Sequence, residues 1–309
     1  MSLAVHSEFE IRVPGSIANL GPGFDTLAVA VQLYLTLSVR VLPGSNELHF
    51  QFINCHIDGE NYIERSFRFL ALQRSGSFPS LRVEVRSEIP AKGGLGSSAA
   101  ATVAGLRLYE AIAGPLPLPG LLNAACALEG HPDNVAAALL GGLTISCQMP
   151  DRSAFAVKLR WPESLAFIVL TPQLTLATAA SREALPASVA REDAVFNLQR
   201  VALLLEALQT GNFSLLREAL QDRIHQPFRQ HLVPGLEQAL ALEHPDLLGV
   251  CLSGAGPSVV ALAERNLAEV QDVLESAFHA EGIRFTVRRL RAHQDRESIL
   301  DPVPTRVNR

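Results

Sequence analysis

Lysine is nearly missing from this chain of 309 residues. Lys92 and Lys158 are the two present, so almost all of the positive charge is arginine. With 26 basic and 31 acidic residues the net charge is -5, which argues against a broad nucleic-acid footprint, since that would need clustered positive charge. Cysteine is sparse as well, with four residues at 55, 126, 147 and 251. No pair has the C-x-x-C spacing, which argues against a zinc site or a disulfide framework, and apolar neighbours predict buried thiols. No uninterrupted apolar run reaches the ~18 residues of a membrane span. The opening MSLAVHSEFEIRV lacks the basic-then-apolar pattern of a secretory signal. These absences lead to the expectation of a cytoplasmic protein with no membrane or nucleic-acid partner.

What is present suits a globular protein. Hydrophobic residues make up 48% and charged residues 18%, enough for a large core and against disorder. The length suggests two domains, and the pattern divides near Trp161 into residues 1–160 and 161–309. There is no internal repeat and no low-complexity linker. In the first half, strands are expected at Phe9–Val13 (ending at Pro14-Gly15), Leu27–Leu42, Leu81–Arg86 and Leu143–Cys147. Helices are expected at Ser97–Ala113, at Leu121–Leu128 and from Pro132 to just before Gly141-Gly142. In the second half, strands are expected at Leu165–Thr171, Leu248–Leu252, Ser258–Leu262 and Arg284–Arg289. Helices are expected at Ala194–Thr210, Ser214–Asp222, Leu236–Leu242 and Leu267–Glu281. Strands with helices on one side read as α+β layers. The polar tail from His293 to Arg309 is expected on the surface.

The most informative stretch is Pro90-Ala91-Lys92-Gly93-Gly94-Leu95-Gly96-Ser97-Ser98-Ala99-Ala100, which follows a strand and opens a helix. Glycines let successive amides form a concave array, and a helix N-terminus adds unpaired donors and partial positive charge. Together they make an anion cradle suited to a triphosphate. A P-loop is excluded because Lys92 precedes the glycines and none follows them, and no G-x-G-x-x-G stands at this turn. A bland alternative, a glycine-rich helix entry with a serine cap, is weakened by two partner segments. One is Pro14-Gly15-Ser16-Ile17-Ala18-Asn19-Leu20-Gly21-Pro22-Gly23-Phe24-Asp25; the other is Leu252-Ser253-Gly254-Ala255-Gly256-Pro257-Ser258.

With these three segments in order, the chain resembles the GHMP kinases. The GLGSSAA stretch matches that superfamily's ATP-phosphate loop, and the other two match its first and third motifs. The resemblance implies a two-domain α+β fold, with an N-terminal domain like the second domain of ribosomal protein S5 and a ferredoxin-like C-terminal domain. It implies ATP held by Pro90, Lys92, Gly93, Gly94, Leu95, Gly96, Ser97, Ser98, Ala99 and Ala100, with Asn61 on the adenine side. Glu129 is similar to the family's magnesium-binding glutamate, and either Ser97 or Ser98 would supply a hydroxyl to Mg²⁺.

Glu129-Gly130-His131-Pro132-Asp133-Asn134-Val135, followed by Ala138 to Gly142, is similar to the H-x-D-N-V-A-P-A-x-x-G-G signature of the homoserine-phosphorylating branch, with Ala137 where proline is usual. That branch implies L-homoserine as substrate. The ammonium needs a carboxylate, for which Asp25 and Asp133 are candidates, and the carboxylate suits forked guanidinium donors. Arg182 and Arg229 match the family's two arginines, and Asn19, His131 and Thr178 are further candidates. The resemblance points to Asn134 orienting the hydroxyl without a dedicated base, and Asp25 is an alternative base. Phosphoryl transfer of this kind depends mainly on positioning and charge stabilisation. A kinase for another small alcohol and a non-catalytic ligand sensor are the competing readings. A homodimer is compatible with the resemblance.

Overall fold

The computed structural model describes residues 7–55, 59–74, 76–174 and 176–294. Strands β1 (Glu8–Ala18), β2 (Leu27–Ser45), β3 (Leu48–Phe52), β4 (Pro79–Ser87), β5 (Leu143–Gln148) and β6 (Ala154–Leu159) form one sheet. Its order is β3-β4-β2-β5-β6, with β1 paired to β2. Helices α1 (Tyr62–Gln73), α2 (Ser97–Ala113), α3 (Leu118–Glu129) and α4 (Asp133–Leu140) belong to the same part of the chain. The long β2 alternates buried Leu33, Leu35, Leu37 and Val39 with more exposed polar neighbours, the period of a strand with one face on the core.

The second sheet has the order β10-β7-β9-β8 and is antiparallel throughout. It contains β7 (Ala166–Pro172), β8 (Gly249–Leu252), β9 (Val259–Ala263) and β10 (Phe285–Leu290). Helices α5 (Thr178–Glu183), α6 (Arg191–Thr210), α7 (Leu216–Ala219), α8 (Gln226–Arg229), α9 (Leu236–Leu240) and α10 (Leu267–His279) accompany it. Successive residues of β7 enter different cores. Phe167 and Val169 join the large core that includes the first sheet, while Ile168 and Leu170 pack with Leu236, Leu274 and Phe278. A sheet covered on both faces reads as an unbroken apolar run, as AFIVL does.

Several expectations need correcting. β1 does not stop at Pro14-Gly15: it runs to Ala18 through a register shift there, an irregularity where proline is tolerated. The helix expected over Ser214–Asp222 is a short 3₁₀ turn followed by α7, which ends at Ala219. Cys126 and Cys251 are buried, but Cys55 is half-buried and Cys147 exposed. Cys147 lies on β5, and its side chain takes the outward half of the strand's alternation. His293 is buried rather than superficial: its amide donates to Ala30 O and its carbonyl accepts from Gly142, so the chain returns to the first sheet. The rest of the tail lies outside the described residues. Among the described residues no helix is long and apolar enough to cross a membrane.

Candidate active site

A cavity of about 870 Å³ runs from the start of α2 to the start of α5. One end is the glycine-rich loop. Its carbonyls point into the protein, where others hold them. Ser253 Oγ donates to Gly94 O at 2.6 Å, Ser258 Oγ donates to Gly93 O at 2.5 Å, and the Ser16 amide donates to Leu95 O at 3.1 Å. The amides of Gly94, Leu95, Gly96, Ser97 and Ser98 find no acceptor among the described residues. Gly94 and Gly96 have φ of 76° and 71°. A Cβ on Gly94 would stand 2.6 Å from Ser253 O, and one on Gly96 would stand 2.1 Å from Ser16 Oγ. Only glycine permits both the conformation and the approach. The three sequence segments therefore meet at one point.

Beside this cradle stands Glu129, the last residue of α3. Its two carboxylate oxygens accept from Ser98 Oγ at 2.9 Å and Thr102 Oγ1 at 2.8 Å. Thr102, one turn further along α2 and buried, was not found from the sequence. The i, i+4 spacing from Ser98 was the available signal. Among the described residues no group of three or more His, Cys, Asp or Glu is placed to hold a metal. Magnesium does not need one: one carboxylate, a hydroxyl and phosphate oxygens suit its octahedral oxygen preference. Glu129 with Ser98 fits that description.

The other end of the cavity carries charge of both signs. Asp25 and Arg182 form a two-pronged pair, with Nη2–Oδ1 at 2.6 Å and Nη1–Oδ2 at 3.1 Å. Asp25 adopts a left-handed φ of 52°, and its amide donates to Asn19 Oδ1 at 3.1 Å. Asn19 Nδ2 in turn donates to Gly254 O. At the start of α4, Asp133 Oδ1 accepts from the Asn134 amide at 2.6 Å, from Asn134 Nδ2 at 3.2 Å and from His131 Nδ1 at 3.0 Å. That carboxylate raises the His131 pKa above its ordinary value, against the opposing effect of burial. Asp133 Oδ2 accepts from none of the described residues. Ser16 Oγ donates to Asn134 Oδ1 at 2.7 Å, which fixes the amide's orientation.

Arg229 is almost wholly buried yet lines the cavity. Nε donates to Ser181 O at 3.2 Å, and Nη1 donates to Gly254 O and His225 Nδ1, both at 3.1 Å. Nη2 is the one nitrogen of the fork with no acceptor among the described residues. Burial brings the guanidinium pKa down to about 10, so it stays charged at neutral pH. The Phe24 ring centre lies 5.6 Å from the Arg182 guanidinium carbon and 5.4 Å from that of Arg229, a cation–π partner to both.

Of the residues expected from the sequence, Asn19, Asp25, Asn61, Pro90, Lys92, Gly93, Gly94, Gly96, Ser97, Ser98, Glu129, His131, Asp133, Asn134, Arg182 and Arg229 line this cavity. Leu95, Ala99 and Ala100, also expected there, do not line the cavity: their side chains are buried in the core, and the Ala100 amide is used within the helix on Gly96 O. Asn61 caps α1, accepting from the Ile63 and Glu64 amides. Thr178 begins α5, and its side chain lies outside what is described. Ser16, Thr102 and His225, which the sequence did not single out, lie behind the lining and hold Asn134, Glu129 and Arg229 respectively.

The chain resembles known proteins over most of its length. Residues 61–142 match the model for the GHMP kinases N terminal domain, and residues 204–280 match that for GHMP kinases C terminal. The chain is 41% identical over 283 residues to a homoserine kinase of Solibacter usitatus, covering 90% of this chain and 93% of that one. It is 40% identical to a homoserine kinase of Moorella thermoacetica, with 91% and 96% covered. The crystal structure of homoserine kinase from Cytophaga hutchinsonii superposes with a TM-score of 0.83 at 25% identity, covering 96% of this chain and 98% of that one.

Proposed function

The chain belongs to the GHMP kinase family and has its two-domain fold, and from that premise we propose that it transfers the γ-phosphoryl group of ATP to the side-chain hydroxyl of L-homoserine. The product would be O-phospho-L-homoserine, an intermediate on the way to threonine, made in the cytoplasm. Residues 1–160 would hold the nucleotide, and residues 161–309 would complete the substrate site. One observation carries the reading. A cradle of unpaired amides shares a single cavity with a group of two carboxylates and two guanidiniums. An amino-acid alcohol needs both signs of charge, and a sugar or a simple hydroxy acid does not.

In this reading the amides of Gly94 to Ser98 take the phosphate oxygens, helped by the dipole of α2. Glu129 and Ser98 would hold Mg²⁺, which supplies charge neutralisation at the phosphates. Asn61 and the neighbouring wall form the adenine side. Asp133, through its free oxygen, takes the substrate's ammonium, and Arg229 with Arg182 takes the carboxylate. Asn134, fixed by Ser16 and Asp133, orients the attacking hydroxyl in line with the γ-phosphorus. Asp25 is locked to Arg182 by two charge-assisted hydrogen bonds, which suits a binding and shaping role better than proton abstraction. His131, Asn19 and Thr178 border the substrate.

The test is a coupled ADP assay with purified protein, Mg²⁺ and ATP, supplied in parallel with L-homoserine, L-threonine and mevalonate. The expected result is ADP release that depends on L-homoserine. Equal release with mevalonate would favour the sister-kinase reading, and none with any alcohol would favour a sensor.

A further inference from the structure

His225 is fully buried between the Phe24 ring and the Arg229 guanidinium, and no sequence pattern pointed to it. Its Nε2 lies 2.7 Å from Gly21 O. A carbonyl can only accept, so Nε2 carries the proton and Nδ1 presents a lone pair. That lone pair faces Arg229 Nη1 at 3.1 Å. Burial keeps the imidazole neutral, and the adjacent Arg229 adds to this against the pull of Asp222. The ring is also held from its own backbone. Asp222 accepts from the amides of Ile224, His225 and Gln226 and from Asn197 Nδ2, which fixes the turn into α8.

The consequence falls on Arg229. Its three acceptors are His225 Nδ1, Ser181 O and Gly254 O, and all three are neutral. Among the described residues no carboxylate hydrogen-bonds it; Asp25, Asp222 and Asp133 act on its charge from further off. The guanidinium is therefore fixed in rotation while Nη2, which has no acceptor among the described residues, leaves part of its charge available to the cavity. An acidic residue in place of His225 would hold the fork as firmly and quench it. An apolar one would leave Nη1 with Gly254 O alone.

We propose that His225 is a positioning residue for Arg229, setting the guanidinium so that Nη2 meets the carboxylate of the amino-acid substrate. This rests on Arg229 being the carboxylate ligand. The imidazole acts through the arginine and touches no substrate. Its contribution is to carboxylate recognition, and so to the preference for an amino acid over an amino alcohol.

Two polar substitutions separate the imidazole's two bonds. The amide oxygen of Asn reaches the Nδ1 position and loses Gly21, whereas the amide nitrogen of Gln reaches the Nε2 position and loses Arg229. His225→Gln is expected to raise the KM for L-homoserine about tenfold, the worth of a hydrogen bond to a charged group, with kcat and the KM for ATP nearly unchanged. His225→Asn is expected to stay near the parent. With 3-aminopropan-1-ol, which is homoserine without its carboxylate, the Gln variant should lose nothing relative to the parent. Arg229→Ala serves as the reference, raising the homoserine KM more than either. If Arg229→Ala raises that KM and His225→Gln does not, the role of His225 is refuted while the arginine's stands. If Asn is the impaired variant, the Gly21 contact matters and positioning is wrong. Equal loss toward the carboxylate-free alcohol would likewise reduce His225 to a packing residue. An unchanged KM in Arg229→Ala would overturn the premise and the inference together.

Discussion

Gly94→Ala and Gly211→Ala are a matched pair of perturbations, because both glycines have a φ of 76°. Around Gly211 a new Cβ meets nothing within 4 Å, so the substitution carries only the left-handed backbone cost, about 1 kcal/mol. Around Gly94 the same methyl would be 2.6 Å from Ser253 O, 2.7 Å from Gly256 O and 2.8 Å from Gly256 C. These are backbone atoms of a turn packed in the core, and they cannot swing aside as a flexible side chain would. Overpacking of this kind adds about 1–3 kcal/mol to the backbone cost, and relief requires the loop to move off the turn. Movement would lengthen Ser253 Oγ–Gly94 O and Ser258 Oγ–Gly93 O, the bonds that turn the loop's carbonyls inward and its amides outward. The expected result is a loss of about 3 kcal/mol for Gly94→Ala against about 1 kcal/mol for Gly211→Ala. For a chain of 309 residues each kcal/mol lowers Tm by about 1.5 °C. Scanning calorimetry reads the stability, and initial rates against ATP read the cradle. The KM for ATP should rise at least about tenfold in Gly94→Ala and stay put in Gly211→Ala. Equal stability losses, with a parental ATP KM in both, would refute the claim that contact with the Ser253–Gly256 turn shapes the phosphate site.

Thr102→Val keeps the volume of the side chain and removes the hydroxyl that holds Glu129 Oε1. It should weaken Mg²⁺ activation by about 10–100-fold, while the rate at saturating metal stays within a few-fold, as a metal titration would report. Asp25→Asn breaks the fork with Arg182. It should raise the KM for homoserine with kcat largely preserved, and a collapse of kcat with unchanged KM would restore Asp25 as the base. His131 titrates above its ordinary pKa because protonation is favoured by Asp133. The stabilisation is therefore complete below about pH 6.5 and is lost as pH rises through the raised value. The stability gap between the parent and His131→Gln should be widest in mild acid and narrow in alkali, measured by denaturant unfolding across pH.

Local signals were legible wherever they were strong. The α2 helix stands at the expected residues because a run of glycines ends where alanines begin. The continuous apolar runs at β7, β8 and β9 are strands buried on both faces. β3 and β6 escaped the reading because they are five- and six-residue edge strands with only partial burial. α1 escaped too, although Asn61 followed three positions later by Glu64 is a helix-start signature. The site divides in the same manner. Gly94, Ser98, Glu129 and Asn134 sit in short motifs whose spacing encodes their neighbours. The pairing of Asp25 with Arg182 joins residues 157 positions apart, and that of His225 with Gly21 joins residues 204 apart. No periodicity encodes such contacts; they exist only once the second sheet has packed against the first.

Long-range pairing also explains why the substrate end differs from an ordinary cluster of ions. Asp25 and Arg182 take up most of each other's capacity, which leaves Asp133 and Arg229 as the groups with the most to spare. Among the described residues Asp133 uses Oδ1 for three donors and keeps Oδ2 open, and Arg229 uses two of its nitrogens and keeps Nη2 open. One open acceptor and one open donor, each held by a buried framework, complement a zwitterion. A hydroxy acid without an ammonium would satisfy the arginine and leave the buried Asp133 carboxylate unpaired, at about 1–3 kcal/mol or more. A neutral sugar would leave both charges desolvated and unpaired, at about 1–3 kcal/mol or more for each. A preference for an amino acid would thus follow from which charges the fold leaves unpaired, more than from which charges it contains.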